Sequence, residues 1–512
     1  MSAAPVVHEV NTLVWLNDIE RRFGEGRHLG EGGQPAEGRR AGEAARLDLR
    51  DLPKEAWDEL AIPSADVVWL MGVWERSPAG RSIALTDPGL LASFQTALPD
   101  LGDDDITGSP YCVRRYVADE RLGGPDGLAV ARAELDRRGL GLYLDYVPNH
   151  VAPDHPWLLD HPDYFLHGDR ADQDRDPEAY LAVGGMVYAR GRDPSFPPWP
   201  DVVQLNAFAP QLREATAGVL AEIGDQCDGV RCDMAMLMMN EVFARTWGAQ
   251  AGAPPPDEFW PTVLTEVRSR HPHMTFLAEA YWDLEFQLQR QGFDFCCDKG
   301  LYDRLVAGDP GGVRDHLRAD LGYQRGLCRF LENHDEPRAA AAFGQEQERA
   351  AAVTIATLPG AQLWHEGQLD GRRIRVPVFL GRRPDEPLDT ELHAFHMRLL
   401  GAVRDSGLRT GDWRLLETTG WPDNDSHLGV LAWTWTTGRS RHLVVVNLTS
   451  APVQARIPLA WTDLGDGTWR LRSLMTDVSY DRAGSDLMGP GLYVALDEWA
   501  ADIFTVTPAV PP

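Results

Sequence analysis

The sequence contains almost no lysine. Lys54 and Lys299 are the only two in a chain of 512 residues. Neither stands in a GxxxxGK(S/T) context, which excludes a P-loop nucleotide site, and lysine Schiff-base chemistry has almost no candidate residue. Arginine supplies nearly all of the positive charge, and we attribute this bias to genomic base composition rather than to function.

Cysteine and long apolar runs are also scarce. Six cysteines without regular spacing indicate reduced residues inside the protein, and therefore predict a cytoplasmic protein. The longest apolar run, residues 67–74, is far shorter than the roughly 18 residues that a membrane span requires. Residues 1–7 lack the basic and apolar regions of a signal peptide, so we expect neither export by that route nor a membrane partner.

The chain carries more negative than positive charge. The formal net charge of −28 argues against nucleic acid and anionic membranes as partners, because both attract clustered positive charge. A neutral partner such as a sugar is compatible with this charge. Hydrophobic residues make up 43% of the sequence, which is enough for a large core, and the length predicts two or three structural units. The sequence does not indicate an oligomeric state.

Apolar runs alternate with amphipathic helical patterns from the N-terminus to about residue 408. Eight runs are predicted as strands: residues 6–16, 67–74, 140–147, 229–233, 275–280, 292–297, 329–332 and 362–365. The predicted helices between them include residues 127–138, 211–224, 261–270, 345–357 and 390–404. Eight strands that alternate with helices predict an α/β fold, the closed (β/α)8 TIM barrel.

Two stretches interrupt this alternation, and a third follows it. Residues 20–56, rich in Gly, Arg and Glu, are predicted as a loop after the first strand, and residues 152–206 as a small inserted B domain. The barrel is therefore assigned to residues 1–151 and 207–408. Residues 409–512 are predicted to form an antiparallel β-sandwich, with strands at 428–435, 441–448, 453–457, 468–472 and 491–496.

Clusters of polar residues follow four of the predicted barrel strands. The runs are LDYVPNH at 144–150, DGVRCD at 228–233, FLAEAYW at 276–282 and FLENHD at 330–335. The active site of a (β/α)8 barrel lies at the carboxyl ends of its strands, so these clusters are expected to meet in one pocket. One such cluster could be a structural salt bridge, but four at equivalent positions indicate a reactive site.

Three carboxylates and one guanidinium in a pocket can cleave an acetal. Cleavage with retention needs a nucleophilic carboxylate and a carboxylic acid that protonates the leaving oxygen, about 5–5.5 Å apart. Arg231 lies two residues before Asp233, so both side chains point to one face of the strand, and the guanidinium is expected to keep Asp233 ionised as the nucleophile. Asp335 is the third carboxylate.

Glu279 is the candidate proton donor. Its apolar and aromatic flank, with Tyr281 and Trp282 immediately after it, is expected to raise its pKa, as a general acid requires. The imidazoles of His150 and His334 are expected to be neutral and to hydrogen-bond sugar hydroxyls as donor and acceptor.

These four runs resemble the four signature regions of the α-amylase superfamily of glycoside hydrolases (family 13): DxVxNH, GxRxD, a strand that ends in Glu, and NHD. The resemblance implies that Asp233 is the nucleophile, Glu279 the general acid/base, and Asp335 the carboxylate that holds ring hydroxyls and stabilises the transition state. Residues 201–206 resemble the end of the family's B domain, and the likeness covers about residues 6–408.

The resemblance also suggests groups that bind the substrate. The predicted set is Arg231, His150, His334, Tyr111, Asp145 and Trp282. Tyr111 is similar to the tyrosine on which the sugar of the −1 subsite stacks. Asp145 is expected to be a hydrogen-bonding residue beneath the site rather than a catalyst.

The sequence contains conflicting evidence for a calcium site. Asn149 matches the calcium-ligand asparagine of the family, but Met236 and Leu237 stand where α-amylases proper often have a Lys-His pair that completes the calcium site and lines acceptor subsites. A structural calcium ion is therefore in doubt, and the chemistry requires no cofactor. The methionines around these positions are expected to be core residues.

Aromatic and histidine residues outside the four runs allow two interpretations. Trp157, Trp199 and Tyr164 form either sugar-stacking surfaces or the small core of the inserted segment. The spacing of its histidines, His155, His161 and His167, matches no zinc pattern. Four tryptophans of the C-terminal domain are predicted to lie in the core of the sandwich: Trp413, Trp421, Trp433 and Trp435.

Two functions remain open from the sequence, and a third is disfavoured. The first is hydrolysis of α-glucosidic bonds, either the α-1,4 bonds of maltooligosaccharides or the bonds of related α-glucosides. In the second, a sugar or phosphate intercepts the same intermediate, which gives a transferase, isomerase or phosphorylase. A catalytically silent binding protein is disfavoured, because the three catalytic carboxylates, Arg231 and the histidines at 150 and 334 are all present.

Overall fold

A closed barrel of eight parallel strands forms the centre of the molecule, and it confirms the predicted α/β barrel. The structure is a computed structural model that describes residues 4–27 and 47–509. Each barrel strand pairs with the strands that precede and follow it in the sequence, and the first pairs with the last. The strands are β1 (Val6–Asn11), β2 (Val67–Met71), β3 (Gly141–Tyr146), β4 (Gly229–Cys232), β5 (Thr275–Ala278), β6 (Phe295–Cys297), β7 (Leu327–Arg329) and β8 (Ala361–His365).

Helices surround the barrel on the outside. Their apolar faces bury residues against the strands, while their polar faces remain in solvent, as the amphipathic patterns predict. They include α1 (Thr12–Arg27), α2 (Gly124–Asp136), α3 (Pro210–Gly224), α4 (Asn240–Trp247), α5 (Phe259–Arg270), α6 (Lys299–Val306), α7 (Pro310–Leu317), α8 (Gln345–Thr357) and α9 (Thr390–Ser406).

The prediction for the first strand is wrong beyond Asn11. A continuous apolar run does not distinguish strand from helix, and here Thr12 begins α1, with its hydroxyl donating to the carbonyl of Met71 at 2.8 Å. The loop predicted for residues 20–56 is also partly wrong, because residues 20–27 are helical and Lys54–Glu59 form another helix. Residues 47–53 contain no helix or strand, as predicted for a loop, and residues 28–46 lie outside the described residues.

The inserted segment (residues 152–206) carries its own small sheets. Val203–Gln204 pairs antiparallel with His150–Val151, so the segment begins and ends side by side next to the carboxyl end of β3. Its three-stranded sheet contains His167–Gly168, Met186–Ala189 and Tyr180–Val183, in that spatial order.

Two aromatic residues of the inserted segment have different neighbours. Trp157 packs edge-on against Tyr164 with ring centroids 5.2 Å apart, in a large hydrophobic cluster that also contains barrel residues. Trp199 instead packs edge-on against His150 at 5.2 Å, beside the polar cluster after β3.

The C-terminal residues form antiparallel sheets that fit a β-sandwich. One sheet has six strands, Asp412–Leu416, Val430–Thr437, Ser440–Asn447, Ala501–Pro508, Thr468–Ser473 and Ser479–Ala483, and Val453–Ile457 pairs with Leu492–Leu496. The tryptophan prediction is wrong for Trp433 and Trp435, because both indoles donate to the carbonyl of Thr357 in α8. They pack against the barrel rather than in the core of the sandwich.

Two predictions from composition can be compared with the structure. All six cysteines are free, and five of them are buried, as predicted for reduced residues. Among residues 4–27 and 47–509, no helix is both long and apolar enough to cross a membrane.

Candidate active site

Arg231 connects the carboxylates at the carboxyl ends of three neighbouring strands. It lies in β4 and is almost completely buried. One terminal nitrogen, Nη1, contacts Asp233 at 2.8 Å and lies 3.6 Å from Asp145, and the other, Nη2, contacts Glu279 at 2.7 Å. The register explains this meeting, because Arg231 is paired with Asp145 of β3 and with Leu277 of β5, two residues before Glu279.

The surroundings of Glu279 differ from the predicted apolar flank. Its Oε2 accepts hydrogen bonds from Arg231 and from the backbone N–H of Met234, the latter at 2.7 Å, and its Oε1 accepts from the Tyr281 hydroxyl at 3.0 Å. The prediction that Arg231 selects Asp233 alone is therefore wrong. Its guanidinium binds both carboxylates, so the neighbours of each acid do not by themselves separate nucleophile from proton donor.

The ionisation of Asp233 also departs from the prediction. Burial raises the pKa of Asp233 to about 7, and the negative charges of Glu279 and Asp335 act in the same direction. Arg231 lowers this pKa but does not outweigh burial. The guanidinium thus stabilises the ionised form of Asp233, but not enough to bring its pKa back to the ordinary carboxyl value.

A second group of contacts lies around His334. Its Nε2 is 2.7 Å from the hydroxyl of Tyr111 and 2.9 Å from Oδ2 of Asp335, and the rings of Tyr111 and His334 are stacked at 5.3 Å. On the other side of the ring, Nδ1 donates to Glu9 at 2.5 Å. Arg231 lies 5.2 Å from the Tyr111 ring, so this group and the Arg231 group share one pocket. Asp335 faces its opening, with a side chain that is 44% exposed.

The two histidines differ in charge, contrary to the prediction that both are neutral. Burial lowers the pKa of His150 to about 4, so this imidazole is neutral as expected. Burial also acts to lower the pKa of His334, but Asp335 and Glu9 outweigh it and hold the pKa well above its usual range. His334 is therefore an imidazolium at neutral pH. It in turn contributes to holding the pKa of Asp335 at about 2, against the opposing effect of burial.

Glu9 is a residue of the site that the sequence analysis missed. It lies in β1, is completely buried, and its pKa stays below the ordinary value, because His334 and His365 outweigh burial. The signal was present in the sequence, since Glu9 is a charged residue inside a run predicted to be a buried strand. A buried carboxylate without a partner is too costly to persist, so its position implied a cationic neighbour.

Replacement of Glu9 by glutamine is expected to lower kcat/KM by about 10- to 100-fold, the value of one buried hydrogen bond between charged groups. Glutamine keeps the size of the side chain but removes the charge that holds His334 protonated. The pH profile should therefore acquire a new loss of activity at neutral to alkaline pH, where His334 then loses its proton. Glu20→Gln, in α1 on the same side of the barrel, is the control, and an unchanged pH profile in the Glu9 variant would contradict this role.

The remaining predicted residues occupy distinct positions. Asp145 lies beneath the pocket, where its Oδ2 accepts the backbone N–H of Gly72 at 3.1 Å, as expected for a hydrogen-bonding residue. Trp282 has 39% of its surface exposed, and its ring centre lies 5.8 Å from the guanidinium of Arg245. Met234, Trp282 and Asp283 all adopt left-handed backbone conformations, so local strain follows both Asp233 and Glu279, as is frequent at functional sites.

Met236 and Leu237 do not reach the pocket. Both are buried in the barrel core, together with Met238 and Met239. Core packing, the predicted role of these methionines, is confirmed. The structure gives these side chains no part in lining an acceptor subsite.

The residues around Asn149 do not fit a calcium ion. Its side-chain oxygen accepts a hydrogen bond from Nε2 of Gln204 at 2.8 Å, and its side-chain nitrogen lies 3.3 Å from Oε1 of the same glutamine. The two amides thus satisfy each other across the ends of the inserted segment. Within the described ranges, no group of three or more His, Cys, Asp or Glu side chains is placed to hold a metal ion.

Chelation with EDTA is expected to leave both Tm and activity unchanged. A structural calcium ion at 100 times its Kd would contribute about 2.7 kcal/mol, so its removal would lower Tm measurably. The measurement is thermal unfolding and turnover after dialysis against EDTA, with calcium or magnesium added back. A fall in Tm that calcium reverses and magnesium does not would establish a site that the Asn149–Gln204 pair does not reveal.

Comparison with known proteins finds relatives that are named as α-amylases or maltosyltransferases. No protein-family model matches the sequence. The chain is 27% identical over 441 residues to the α-amylase MalA of Haloarcula japonica, an alignment that covers 82% of this chain and 56% of that protein. It is 26% identical over 285 residues to the α-1,4-glucan:maltose-1-phosphate maltosyltransferase of Burkholderia pseudomallei, with coverage of 53% and 21%. The chain thus spans about half the length of the first relative and a fifth of the second.

Among solved structures, the fold is similar to that of the noncanonic maltogenic α-amylase AmyB from Thermotoga neapolitana. The TM-score is 0.67 at 19% identity, and the match covers 98% of each chain.

Proposed function

We propose, from the premise that this chain belongs to the α-amylase superfamily of glycoside hydrolases, that it hydrolyses α-glucosidic bonds with retention of configuration. The observation that carries the proposal is the arrangement of Asp233 and Glu279 on the two terminal nitrogens of one buried guanidinium. A guanidinium that binds both acids keeps them close together, as the double displacement requires. We infer that maltooligosaccharides and related α-glucosides are the substrates.

In the first step, Asp233 attacks the anomeric carbon while Glu279 protonates the leaving oxygen. Arg231 occupies Oε2 of Glu279, so Oε1, which faces the Tyr281 hydroxyl, is the oxygen free to carry the proton. In the second step, Glu279 takes a proton from water, which displaces Asp233 from the sugar.

Asp335 and His334 would hold the sugar ring in both steps. Asp335 is ionised and exposed to the pocket, so it can accept hydrogen bonds from two ring hydroxyls. His334 carries a positive charge and donates through Nε2. A fixed pair of opposite charges orients the sugar before charge develops at the anomeric carbon, which favours the transition state.

Transfer to an acceptor other than water is the second candidate. The observation that favours it is the similarity to maltosyltransferases, whose name specifies an α-1,4-glucan and maltose 1-phosphate. The covalent intermediate would be the same, and only the group that displaces Asp233 would differ. Hydrolysis is the preferred candidate because the alignment to an α-amylase covers much more of this chain than the alignment to a maltosyltransferase does.

Product analysis separates the two candidates. The enzyme is incubated with maltotriose, sucrose or trehalose, with and without inorganic phosphate, and products are resolved by chromatography while NMR reports the configuration of the first product. Hydrolysis predicts shorter sugars, released as the α-anomer in the absence of phosphate. Products that are only longer than the substrate, or that require phosphate, would establish transfer, and a β-anomer would exclude retention.

The raised pKa of Asp233 predicts the acid limb of the pH profile. The nucleophile acts only when ionised, so kcat/KM is expected to rise with pH through an apparent pKa of about 7 and to be lost as the pH falls below it. The measurement is kcat/KM for maltotriose between pH 4 and 9. An acid limb near the ordinary carboxyl pKa, about 4, would contradict this assignment.

A further inference from the structure

A cleft opens beside the active site, between the inserted segment and α4. Its volume is about 570 Å³, and its walls are the loop 192–196, Arg245 and Thr246 of α4, and Trp282. Trp282 follows Glu279 by three residues, and Tyr281 between them binds Glu279 directly. One wall of the cleft is therefore formed by the segment that carries the proton donor, and in the proposed mechanism the proton donor faces the leaving group and the acceptor.

Two arginines line this cleft. Arg192 is fixed in place, because its Nη2 donates to the carbonyl of Thr246 at 2.9 Å and its guanidinium stacks on the Trp247 ring at 4.4 Å. Arg245 lies 5.8 Å from the centre of the Trp282 ring, which is exposed to the cleft. One cation is thus rigid and the other lies beside an aromatic surface.

Neither arginine has a carboxylate partner. Over the described ranges, no Asp or Glu oxygen lies within 4 Å of the guanidinium of Arg192 or Arg245. The Nε of Arg192 is also buried without a hydrogen-bond partner. Two guanidinium groups that have no carboxylate partner and line one cleft are suited to an anion supplied from outside.

The one carboxylate in the cleft wall serves the loop itself. Oδ1 of Asp193 accepts the backbone N–H groups of Ser195 and Phe196, at 2.6 and 2.8 Å, and the residue is buried. These bonds shape the loop that carries Arg192 and Phe196. The cleft wall accordingly contains two cations and one anion, in a chain whose net charge is −28.

We propose that this cleft binds a phosphate group, carried by the sugar that leaves or accepts the glucosyl unit or present as free phosphate, between Arg192 and Arg245. The inference rests on the proposed function for the identity of the sugar. Guanidinium groups bind phosphate oxygens through paired, charge-assisted hydrogen bonds, and the faces of Trp282 and Phe196 can pack against the attached sugar ring. A neutral oligosaccharide alone would leave both positive charges without an anionic partner.

Direct binding tests the proposal independently of turnover. Glucose, glucose 6-phosphate and inorganic phosphate are each titrated into the full-length protein by calorimetry, at low and at high salt. Glucose 6-phosphate is expected to bind at least about 10-fold more tightly than glucose, because hydrogen bonds between charged groups are worth that much, and added salt should reduce this preference. Inorganic phosphate that binds as tightly as glucose 6-phosphate also supports the site and identifies free phosphate as its ligand.

Two variants locate the binding. Arg192→Gln and Arg245→Gln are each expected to remove most of the preference for the phosphorylated sugar. Arg170→Gln, at an exposed arginine of the inserted segment outside the cleft, is the matched control and should keep it. Equal affinity for glucose and glucose 6-phosphate, or a preference that survives both cleft substitutions, would overturn the proposal. Failure of the proposed function is distinguishable, since it would appear as absence of turnover with binding intact.

Discussion

Asp233→Asn is expected to lower kcat by about 10⁴- to 10⁶-fold, the loss that removal of a catalytic nucleophile typically causes. The amide is nearly isosteric with the carboxylate and can still accept a hydrogen bond from Arg231, so the pocket should keep its shape. It cannot form the glycosyl-enzyme, because an amide is a poor nucleophile and carries no charge to stabilise the oxocarbenium-like transition state. Turnover of maltotriose and circular dichroism measure activity and folding separately.

Asp225→Asn is the matched control for this substitution. Asp225 follows α3 shortly before β4, and its side chain is 76% exposed, far from the pocket. It should retain full activity. If wild type and Asp233→Asn were equally inert on a panel of α-glucosides, the enzyme interpretation would fail and the silent binding protein would take its place.

The covalent intermediate can also be observed. In the Glu279→Gln variant, a fluorinated glucosyl fluoride should form the glycosyl-enzyme without needing a proton donor, and the variant should then hydrolyse it slowly. Mass spectrometry of the peptide that contains Asp233 identifies the attachment site. Labelling of Asp335 instead would mean that Asp335 is the nucleophile and that Asp233 has the stabilising role.

Arg231→Met is expected to lower the free energy of unfolding by about 3–5 kcal/mol and to reduce activity severely. Removal of one partner from a buried ion pair leaves the opposite charge without compensation, and here Asp233 and Glu279 both lose their contact with Arg231. Methionine preserves much of the volume, so loss of charge rather than a cavity is the cause. Urea unfolding measures the effect.

The pH dependence of this loss identifies its electrostatic origin. Without Arg231 the pKa of the buried Asp233 carboxyl rises further, so its ionised form opposes folding at pH 8 and is neutralised by protonation at pH 5. The deficit should therefore be larger at pH 8. Arg268→Met, at a partly exposed pair with Asp294, is the control and should cost about 1 kcal/mol or less. A deficit for Arg231→Met that is independent of pH would indicate lost packing instead.

Much of the fold was predictable from local patterns. Helix α8 and the strand Val453–Ile457 match their predicted ranges, because each has a clear periodicity bounded by polar or turn residues. The errors occurred where one pattern fits two structures. The apolar residues after Asn11 form a helix, and Trp433 and Trp435 are buried against the barrel, a contact that alternation within a strand does not reveal.

The sequence by itself determined most of the residues that form the site, although not Glu9. A parallel barrel places the carboxyl ends of all its strands on one face, so polar residues at the carboxyl ends of β3, β4, β5 and β7 converge there. Asp145, Arg231, Glu279 and His334 follow from that rule alone, without any knowledge of distances.

Only the tertiary structure decided the charges within the site. Glu9 and His334 are 325 residues apart and meet because β1 closes the barrel near β7, which makes His334 a cation instead of the neutral group predicted. Arg231 reaches Glu279 as well as Asp233 because β4 and β5 are neighbours in a fixed register. A pKa depends on burial and on charges a few ångström away in space, and the order of residues along the chain contains neither quantity.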